Sequence, residues 1–170
     1  MNKISKVLIV IIFSIMTCLC TACQEQPLND LELKCKGSWT FLNFYIRNKQ
    51  TFVTTSYIDL DDNVTNSLDI IVKNIGDYYN NSTLNLDGTK NNNLVSGTYI
   101  QNGQTTSISW WCPEDKVKIG FHNFTIYAVE GSANNPTTTI LSEATCLVTE
   151  DELCIGYVSD IYYTYIIYTK

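Results

Sequence analysis

The amino-acid sequence predicts an all-β protein, a single antiparallel barrel or sandwich of about eight to ten strands after an N-terminal signal helix. From Cys35 onward, short β-branched and aromatic runs are separated by turn residues at intervals of roughly 8–12 residues. The chain of 170 residues shows no internal repeat and no shift of composition that would mark a domain boundary. We therefore predict a signal peptide at 1–22, a tether at 23–34 and one β domain at 35–170.

The N-terminus has the pattern of an export signal. Lys3 and Lys6 form a short positive segment, an apolar run covers 7–13, and small residues stand at 21–22. A positive segment, an apolar segment of this length and a small-residue cleavage site are typical of a secretory signal. The alternative is an uncleaved anchor helix, because the apolar stretch could extend through Cys20.

The segment LCTAC at 19–23 resembles the lipobox of bacterial lipoproteins. In that family the cysteine is acylated and becomes the first residue of the mature protein. The resemblance therefore implies that Cys23 is lipidated and holds the chain at a membrane of the cell envelope. Cys20 departs from the family, which usually has an aliphatic residue there. Gln24 stands where an Asp favours inner-membrane retention in Gram-negative members, so the resemblance implies the outer membrane.

The cysteine count independently suits an exported protein. Of seven cysteines, four follow the predicted lipidation site: Cys35, Cys112, Cys146 and Cys154. An even number in an exported chain predicts two disulfides, with three possible connectivities. We favour a local bridge between Cys146 and Cys154 and a long-range bridge between Cys35 and Cys112. Because no C-x-x-C or H-x-x-x-H pair occurs after Cys23 and the chain has one histidine, we predict no metal site.

The charge balance limits the partners of this protein. The chain carries 17 acidic and 11 basic residues, a net charge of −6, and no basic stripe compensates for the acidity. The phosphates of a nucleic acid would be repelled, so we predict no nucleic-acid partner. Acidity is also a common means of remaining soluble, and this plainer interpretation accounts for it fully.

The strands of the β domain are predicted from runs bounded by turn residues, after a polar lead-in at 24–33. In chain order they cover residues 38–47, 51–60, 68–73, 82–86, 94–101, 104–111, 116–120, 124–129, 137–141, 144–148 and 161–169. Asn102-Gly103 is the clearest hairpin signal, because Asn-Gly readily takes the left-handed angles of a type I′ turn.

Two further elements of the β domain are predicted near the C-terminus. Thr149 and Glu152 have the spacing of a capping box, which predicts one helical turn over 149–153. No amphipathic helix of useful length is predicted elsewhere. The last strand, 161–169, is apolar on both faces, as in a strand that is buried on both sides or lines a barrel.

Gly37-Ser38-Trp39, at the start of the first strand, resembles the G-x-W motif of lipocalins. In that family the tryptophan packs across the closed end of an eight-stranded barrel. The resemblance implies such a barrel here, with a small apolar ligand carried inside it. The plainer interpretation is that Trp39 is a core residue like many other aromatic side chains on first strands.

The segment Trp110-Trp111-Cys112-Pro113 is the most distinctive in the domain. Adjacent residues of a strand face opposite sides, so one tryptophan should be buried and the other directed outward or into a cavity. An outward tryptophan is a candidate anchor for a sugar, a lipid or a protein. The plainer interpretation is that neighbouring loops shield both rings.

No catalytic residues are predicted. His122 would have to serve any Ser-His-Asp arrangement, but no G-x-S-x-G segment exists. Asp59, Asp61 and Asn63 have the spacing of the first ligands of a calcium loop, but the sixth position is Val64 and not glycine. A solvated turn explains these three residues better, and no cofactor is predicted.

Three functions remain open from the sequence. The first is a cell-envelope lipoprotein whose β domain binds an envelope protein or a glycan through exposed loops and aromatic side chains. The second is a lipocalin-like carrier of a small apolar ligand. The third is an envelope hydrolase with a scattered site. A cavity lined by Trp and Tyr favours the second, and a flat exposed Trp patch favours the first, which is our prediction from the sequence.

Overall fold

The computed structural model describes residues 25–114 and 117–170, so the predicted signal peptide and Cys23 lie outside the described residues. Two α-helices and one 3₁₀ helix, Tyr57–Asp59, accompany twelve strands within this part of the chain. The helices are α1, Asp30–Cys35, and α2, Ser67–Tyr79. The strands are β1 Ser38–Asn48, β2 Thr54–Ser56, β3 Ser82–Asn85, β4 Lys90–Asn91, β5 Leu94–Gln101, β6 Gln104–Trp111, β7 Lys118–His122, β8 Ile126–Ser132, β9 Asn135–Leu141, β10 Glu143–Val148, β11 Glu152–Val158 and β12 Tyr162–Thr169.

Eight of these strands form a closed antiparallel barrel, which confirms the predicted all-β class. The order around the barrel is β1-β3-β5-β6-β7-β10-β11-β12, and β12 pairs back onto β1. Each barrel strand therefore lies beside the next one along the chain, with the shorter elements inserted between them. Closure leaves no unpaired edge on the barrel, so neither β1 nor β12 offers a free row of backbone groups.

The barrel interior is filled by large apolar and aromatic side chains. They point inward because alternate residues of each strand face the same side, as in β12, where Tyr162, Thr164, Ile166 and Tyr168 are all buried. Of the two roles predicted for the last strand, burial on both sides or a barrel wall, the structure shows the barrel wall. The largest fully buried side chains are Trp39, Trp110, Tyr79, Tyr162, Tyr168, Phe44, Phe121, Ile46, Leu84, Leu86, Ile119 and Ile126.

Two inserted elements, α2 and the β8–β9 hairpin, pack on the barrel strands. The β8–β9 hairpin forms a separate sheet that packs on β12, where the backbone N–H of Val129 donates to Thr164 Oγ1 at 3.0 Å. Helix α2 packs between β1 and β9. Its N-terminus is capped by Asn66, whose side chain accepts a hydrogen bond from the Asp69 N–H.

The predicted strand over 68–73 is wrong, because this segment lies within α2. The buried residues Val72, Ile75, Gly76 and Tyr79 recur at intervals of three and four, which places them on one helical face. The prediction that no amphipathic helix of useful length exists fails for the same reason. A short apolar run is compatible with either structure, and packing against β1 and β9 selects the helix.

Other local predictions had mixed outcomes. Asn102 and Gly103 have φ angles of 49° and 76° between β5 and β6, which confirms the type I′ turn. The predicted helical turn at 149–153 is wrong, because β10 and β11 form a hairpin there. The Thr149 hydroxyl accepts a hydrogen bond from the Glu152 N–H, as in a capping box, but the two residues lie in the turn that connects β10 to β11. The predicted strand 51–60 shortens to β2 and the 3₁₀ helix.

Part of the predicted tether packs on the barrel. Asn29 caps α1 through a reciprocal capping box with Glu32, and Glu32 is 1% exposed. Lys90 Nζ lies 2.8 Å from Glu32 Oε2, and the Asn29 amide donates to the Cys112 carbonyl at 2.7 Å. The sequence 29–35 therefore belongs to the folded unit. None of the helices described over 25–114 and 117–170 is long and apolar enough to cross a membrane.

Candidate binding site between α2 and the β8–β9 hairpin

A cleft of about 320 Å³ lies between α2 and the β8–β9 hairpin; we call it the α2 cleft. Successive turns of α2 form one wall, because residues three and four apart share a helical face. Alternate residues of the hairpin form the other wall. The lining side chains are Ile71, Asn74, Ile75, Tyr78, Tyr127 and Thr138.

An aromatic cluster forms the floor of the α2 cleft. The ring of Tyr78 lies edge-on to the rings of Tyr79 and Tyr127, with centroids 5.1 and 5.0 Å away. Tyr79 is fully buried and stacks on Phe41 at 5.7 Å. Its hydroxyl donates to the Thr125 carbonyl at 2.7 Å and accepts from the Tyr127 N–H at 3.0 Å, which ties α2 to the hairpin.

Three hydroxyl groups lie beneath this cluster inside the barrel. Ser82 Oγ, Tyr99 Oη and Tyr168 Oη are buried and make no hydrogen bond with any of the described residues. Burial raises the pKa of Tyr99 to about 12, and it raises the pKa of Tyr168 well above its ordinary value. The nearby Ser82 hydroxyl offsets part of both pKa shifts. This interior is apolar enough to disfavour charge strongly.

Alkaline pH is expected to unfold the barrel through these phenols. Burial keeps Tyr79, Tyr99 and Tyr168 neutral in the fold, whereas unfolded tyrosine ionises near pH 10. Their contribution to stability is therefore complete below about pH 10 and is lost as the pH rises through the higher folded values. Urea unfolding at pH 8 and pH 11 measures the loss. Simultaneous ionisation of all the tyrosines near pH 10 in a chain that stays folded would contradict this expectation.

The two other cavities described have charged walls. One, of about 380 Å³, lies beside α1 and includes Lys34, Lys36, Glu150 and Lys170. The other, of about 400 Å³, lies near the tip of the β8–β9 hairpin and includes Glu130 and Asp160. Both are as large as the α2 cleft, but neither is lined by two aromatic rings above a buried aromatic cluster.

The predicted tryptophan sites do not form a common surface. Trp39 is fully buried, and its Nε1 donates a hydrogen bond to the Cys35 carbonyl at 2.7 Å. Lys170 Nζ lies 4.6 Å from the centroid of the Trp39 ring. Trp110 is fully buried, and Trp111 lies on the outer wall over Gly120. One tryptophan of the adjacent pair thus faces inward and the other outward, as the strand alternation predicts.

The structure brings three of the four cysteines together and separates the fourth. Cys35, Cys112 and Cys146 are buried near α1, and Cys35 Sγ lies 3.5 Å from Cys146 Sγ. The predicted local bridge Cys146–Cys154 is wrong. In the β10–β11 register Cys146 lies opposite Ile155, so its side chain and that of Cys154 point to opposite faces. All four thiols are free in the structure.

The remaining sequence candidates stay apart. His122 is exposed and lies against Trp111, with ring centroids 4.8 Å apart. Asp59, Asp61 and Asn63 lie at the end of the 3₁₀ helix and in the exposed loop after it. Within the described parts of the chain, no group of three or more His, Cys, Asp or Glu side chains is placed to hold a metal ion.

Sequence reasoning missed the residues that line the α2 cleft, because 68–73 was predicted to be a strand. A signal was present: Asn66 followed at the third position by Asp69, and apolar residues at 68, 72, 75 and 79. No comparable signal marks Tyr127 and Thr138, which reach the α2 cleft only because the hairpin folds over the barrel.

Comparison with protein family models, with curated proteins and with solved structures found no match for this chain.

Proposed function

We propose that this protein is a β-barrel binding protein that holds a small apolar ligand in the α2 cleft, and not inside the barrel as the lipocalin resemblance implies, because large side chains fill the barrel interior. The observation that carries the proposal is a cleft of about 320 Å³ with two tyrosine rings and two isoleucines in its walls. Small-molecule sites are typically concave and mostly apolar, with volumes of roughly 300–1,000 Å³ and few polar groups. The α2 cleft lies at the lower limit, which suits a ligand of up to three rings or a short chain.

The polar atoms of the α2 cleft indicate what kind of ligand it accepts. Asn74 supplies an amide and Tyr78 a phenol, whereas the other walls offer mainly carbon surface. No lysine, arginine or carboxylate lines the cleft. A ligand with a full charge would lose its hydration there without an opposite charge in return. We therefore expect a neutral molecule that carries one hydrogen-bonding group.

Binding of the neutral apolar dye N-phenyl-1-naphthylamine tests this function. Thr138 is exposed on β9 at the α2 cleft, so the substitution Thr138→Trp places an indole in the opening without disturbing the core. We expect this variant to bind the dye at least about tenfold more weakly, which corresponds to about 1.4 kcal/mol.

Thr137→Trp is the matched control. Thr137 is also exposed, but as the neighbour of Thr138 on the same strand it faces the opposite side. The affinity of the Thr137→Trp variant for the dye should stay within about twofold of the affinity of the parent protein. Equal weakening in both variants, or no binding by the parent protein, would overturn the proposal.

The sequence alone supports the location of this activity. The LCTAC segment at 19–23 implies acylation of Cys23 and attachment to the cell envelope, so we propose a lipid-anchored carrier. The mass of the native chain extracted from membranes tests this. A chain that begins at an acylated Cys23 is expected, and an unlipidated chain in the soluble fraction would refute the anchor.

A second candidate function rests on the outer wall of the barrel. Tyr45, Tyr163 and Tyr165 are half-buried there, with Tyr165 4.8 Å from Tyr45 and 6.3 Å from Tyr163 between ring centroids. Lys49 Nζ lies 5.2 Å from the Tyr163 ring centroid. We call Tyr45, Tyr163 and Tyr165 the tyrosine row. A row of aromatic rings on a sheet is a suitable platform for an envelope glycan or protein, as in the first function predicted from the sequence.

A further inference from the structure

Three cysteines from distant parts of the chain meet beneath α1. Cys35 is the last residue of α1, Cys112 follows β6, and Cys146 lies within β10. All three are at most 4% exposed. Isolated buried cysteines are common as small apolar side chains, but three such residues at one point place their sulfur atoms within reach of one another.

Neighbouring contacts hold Cys35 and Cys112 in place. The Cys35 carbonyl accepts from Trp39 Nε1 at 2.7 Å, and the Cys112 carbonyl accepts from the Asn29 amide at 2.7 Å. The Cys112 N–H also approaches Glu32 Oε1 at 3.4 Å. Cys146 is fixed by the β10–β11 pairing. The sulfur atoms therefore meet through the packing of the barrel and not through a flexible loop.

The Cys35 and Cys146 sulfur atoms approach each other directly. They are 3.5 Å apart, and a disulfide needs about 2.05 Å, so they must approach by roughly 1.5 Å. Cys154 is not a competitor, because it lies on the outer face of β11, whereas the Cys146 side chain lies on the inner face of β10. Cys112 lies beside Cys35 and is the competing partner.

We propose that Cys35 and Cys146 form a disulfide that fastens α1 to the barrel wall. This pairing differs from both bridges predicted from the sequence, and it joins residues 111 positions apart. It does not depend on the α2 cleft or on the proposed ligand. Cys112 remains a buried thiol beside the bond.

Formation of the bond needs a disulfide-bearing oxidant, either glutathione disulfide or an envelope thiol oxidoreductase. The Cys35 thiolate attacks one sulfur of glutathione disulfide and releases one glutathione thiolate. The Cys146 thiolate then attacks the Cys35 sulfur of the mixed disulfide and releases the second glutathione thiolate. The two cysteines lose two protons and two electrons, and glutathione disulfide gains the two electrons. Because both thiols are buried, the exchange precedes the docking of α1.

Once α1 has docked, the three thiols differ in their pKa. Hydrogen bonds from the Cys112 and Cys146 thiols lower the pKa of Cys35 below its ordinary value, against the opposing effect of burial. The same interactions with Cys35 raise the pKa of the Cys112 and Cys146 thiols. These hydrogen bonds form only after α1 docks, so they do not select the sulfur that attacks glutathione disulfide.

Disulfide mapping of the full chain tests the proposal. The purified protein is oxidised with glutathione disulfide, its free thiols are alkylated, and it is digested with trypsin and a glutamate-specific protease. The second protease is necessary because no Lys or Arg separates Cys146 from Cys154, whereas Glu150 and Glu152 do. We expect a peptide that links Cys35 to Cys146. A Cys35–Cys112 link, a Cys146–Cys154 link, or four alkylated thiols in folded protein would each overturn it.

Single substitutions separate this bond from the alternatives. Cys154→Ser and Cys112→Ser should retain the Cys35–Cys146 link, and Cys146→Ser should lose it. If Cys146→Ser does not fold, Cys112→Ser still decides, because loss of the link in that variant would contradict the proposal. Reduction of the parent protein should lower its Tm by roughly 10 °C, since the bond closes a loop of about a hundred residues. An unchanged Tm would also contradict it.

Discussion

Replacing Trp110 by alanine is expected to lower the free energy of unfolding by about 3–5 kcal/mol, the usual cost of deleting a large buried aromatic ring. Trp110 is fully buried inside the barrel, and its Nε1 lies 3.3 Å from the Ser96 carbonyl. The deletion leaves a cavity that the closed sheet cannot collapse to fill. Urea unfolding followed by circular dichroism measures the loss.

The adjacent residue provides the matched control for this substitution. Trp111 is only half-buried on the outer wall, where its indole covers Gly120 and lies against His122. Trp111→Ala should therefore cost about 1 kcal/mol. Because a shift of one residue in strand register exchanges the two faces, a larger loss at Trp111 than at Trp110 would mean that β6 has the opposite register.

Replacing Lys90 by methionine is expected to destabilise the protein by about 3–5 kcal/mol, because it leaves a buried carboxylate without its partner. Glu32 is 1% exposed and Lys90 Nζ lies 2.8 Å from its Oε2. The double variant Glu32→Gln with Lys90→Met removes both charges and should recover most of the loss. Free energies of unfolding for the parent protein and the three variants form a double-mutant cycle.

An exposed ion pair of the same chain gives the control for Lys90. Lys73 Nζ lies 3.2 Å from Asp62 Oδ1, and the Asp62 side chain is 95% exposed. Lys73→Met should change the free energy of unfolding by at most about 1 kcal/mol, because water already screens that pair. Similar losses for Lys73→Met and Lys90→Met would show that Glu32 is solvated and that α1 does not pack as described.

Local sequence signals predicted the barrel well wherever one residue type determines the backbone. Asn102-Gly103 predicted the β5–β6 hairpin correctly, because few other residue pairs accept two successive positive φ angles. The opposite environments of Trp110 and Trp111 followed from strand alternation. The two apolar faces of the last strand predicted either burial on both sides or a barrel wall, and its closure onto β1 is a long-range pairing that no local pattern reveals.

Long-range packing explains what the sequence did not predict. The segment 68–73 taken alone has the composition of a strand, and its helical pattern is visible only over the longer stretch from Asn66 to Tyr79, whose apolar face packs on β1 and β9. The α2 cleft joins that helix to a hairpin about fifty residues later, so its lining could not be found from spacing. The Cys146–Cys154 prediction failed because closeness in sequence does not place two side chains on the same face.

Nuclear magnetic resonance of tyrosine-labelled protein tests the central claim most directly, during titration with N-phenyl-1-naphthylamine. The chain has 11 tyrosines, which include Tyr78 and Tyr127 in the α2 cleft as well as the tyrosine row on the outer wall. We predict that the Tyr78 and Tyr127 ring signals shift in proportion to bound dye while Tyr45, Tyr163 and Tyr165 stay unchanged. Shifts confined to the tyrosine row would contradict a ligand site in the α2 cleft and favour an outer binding surface.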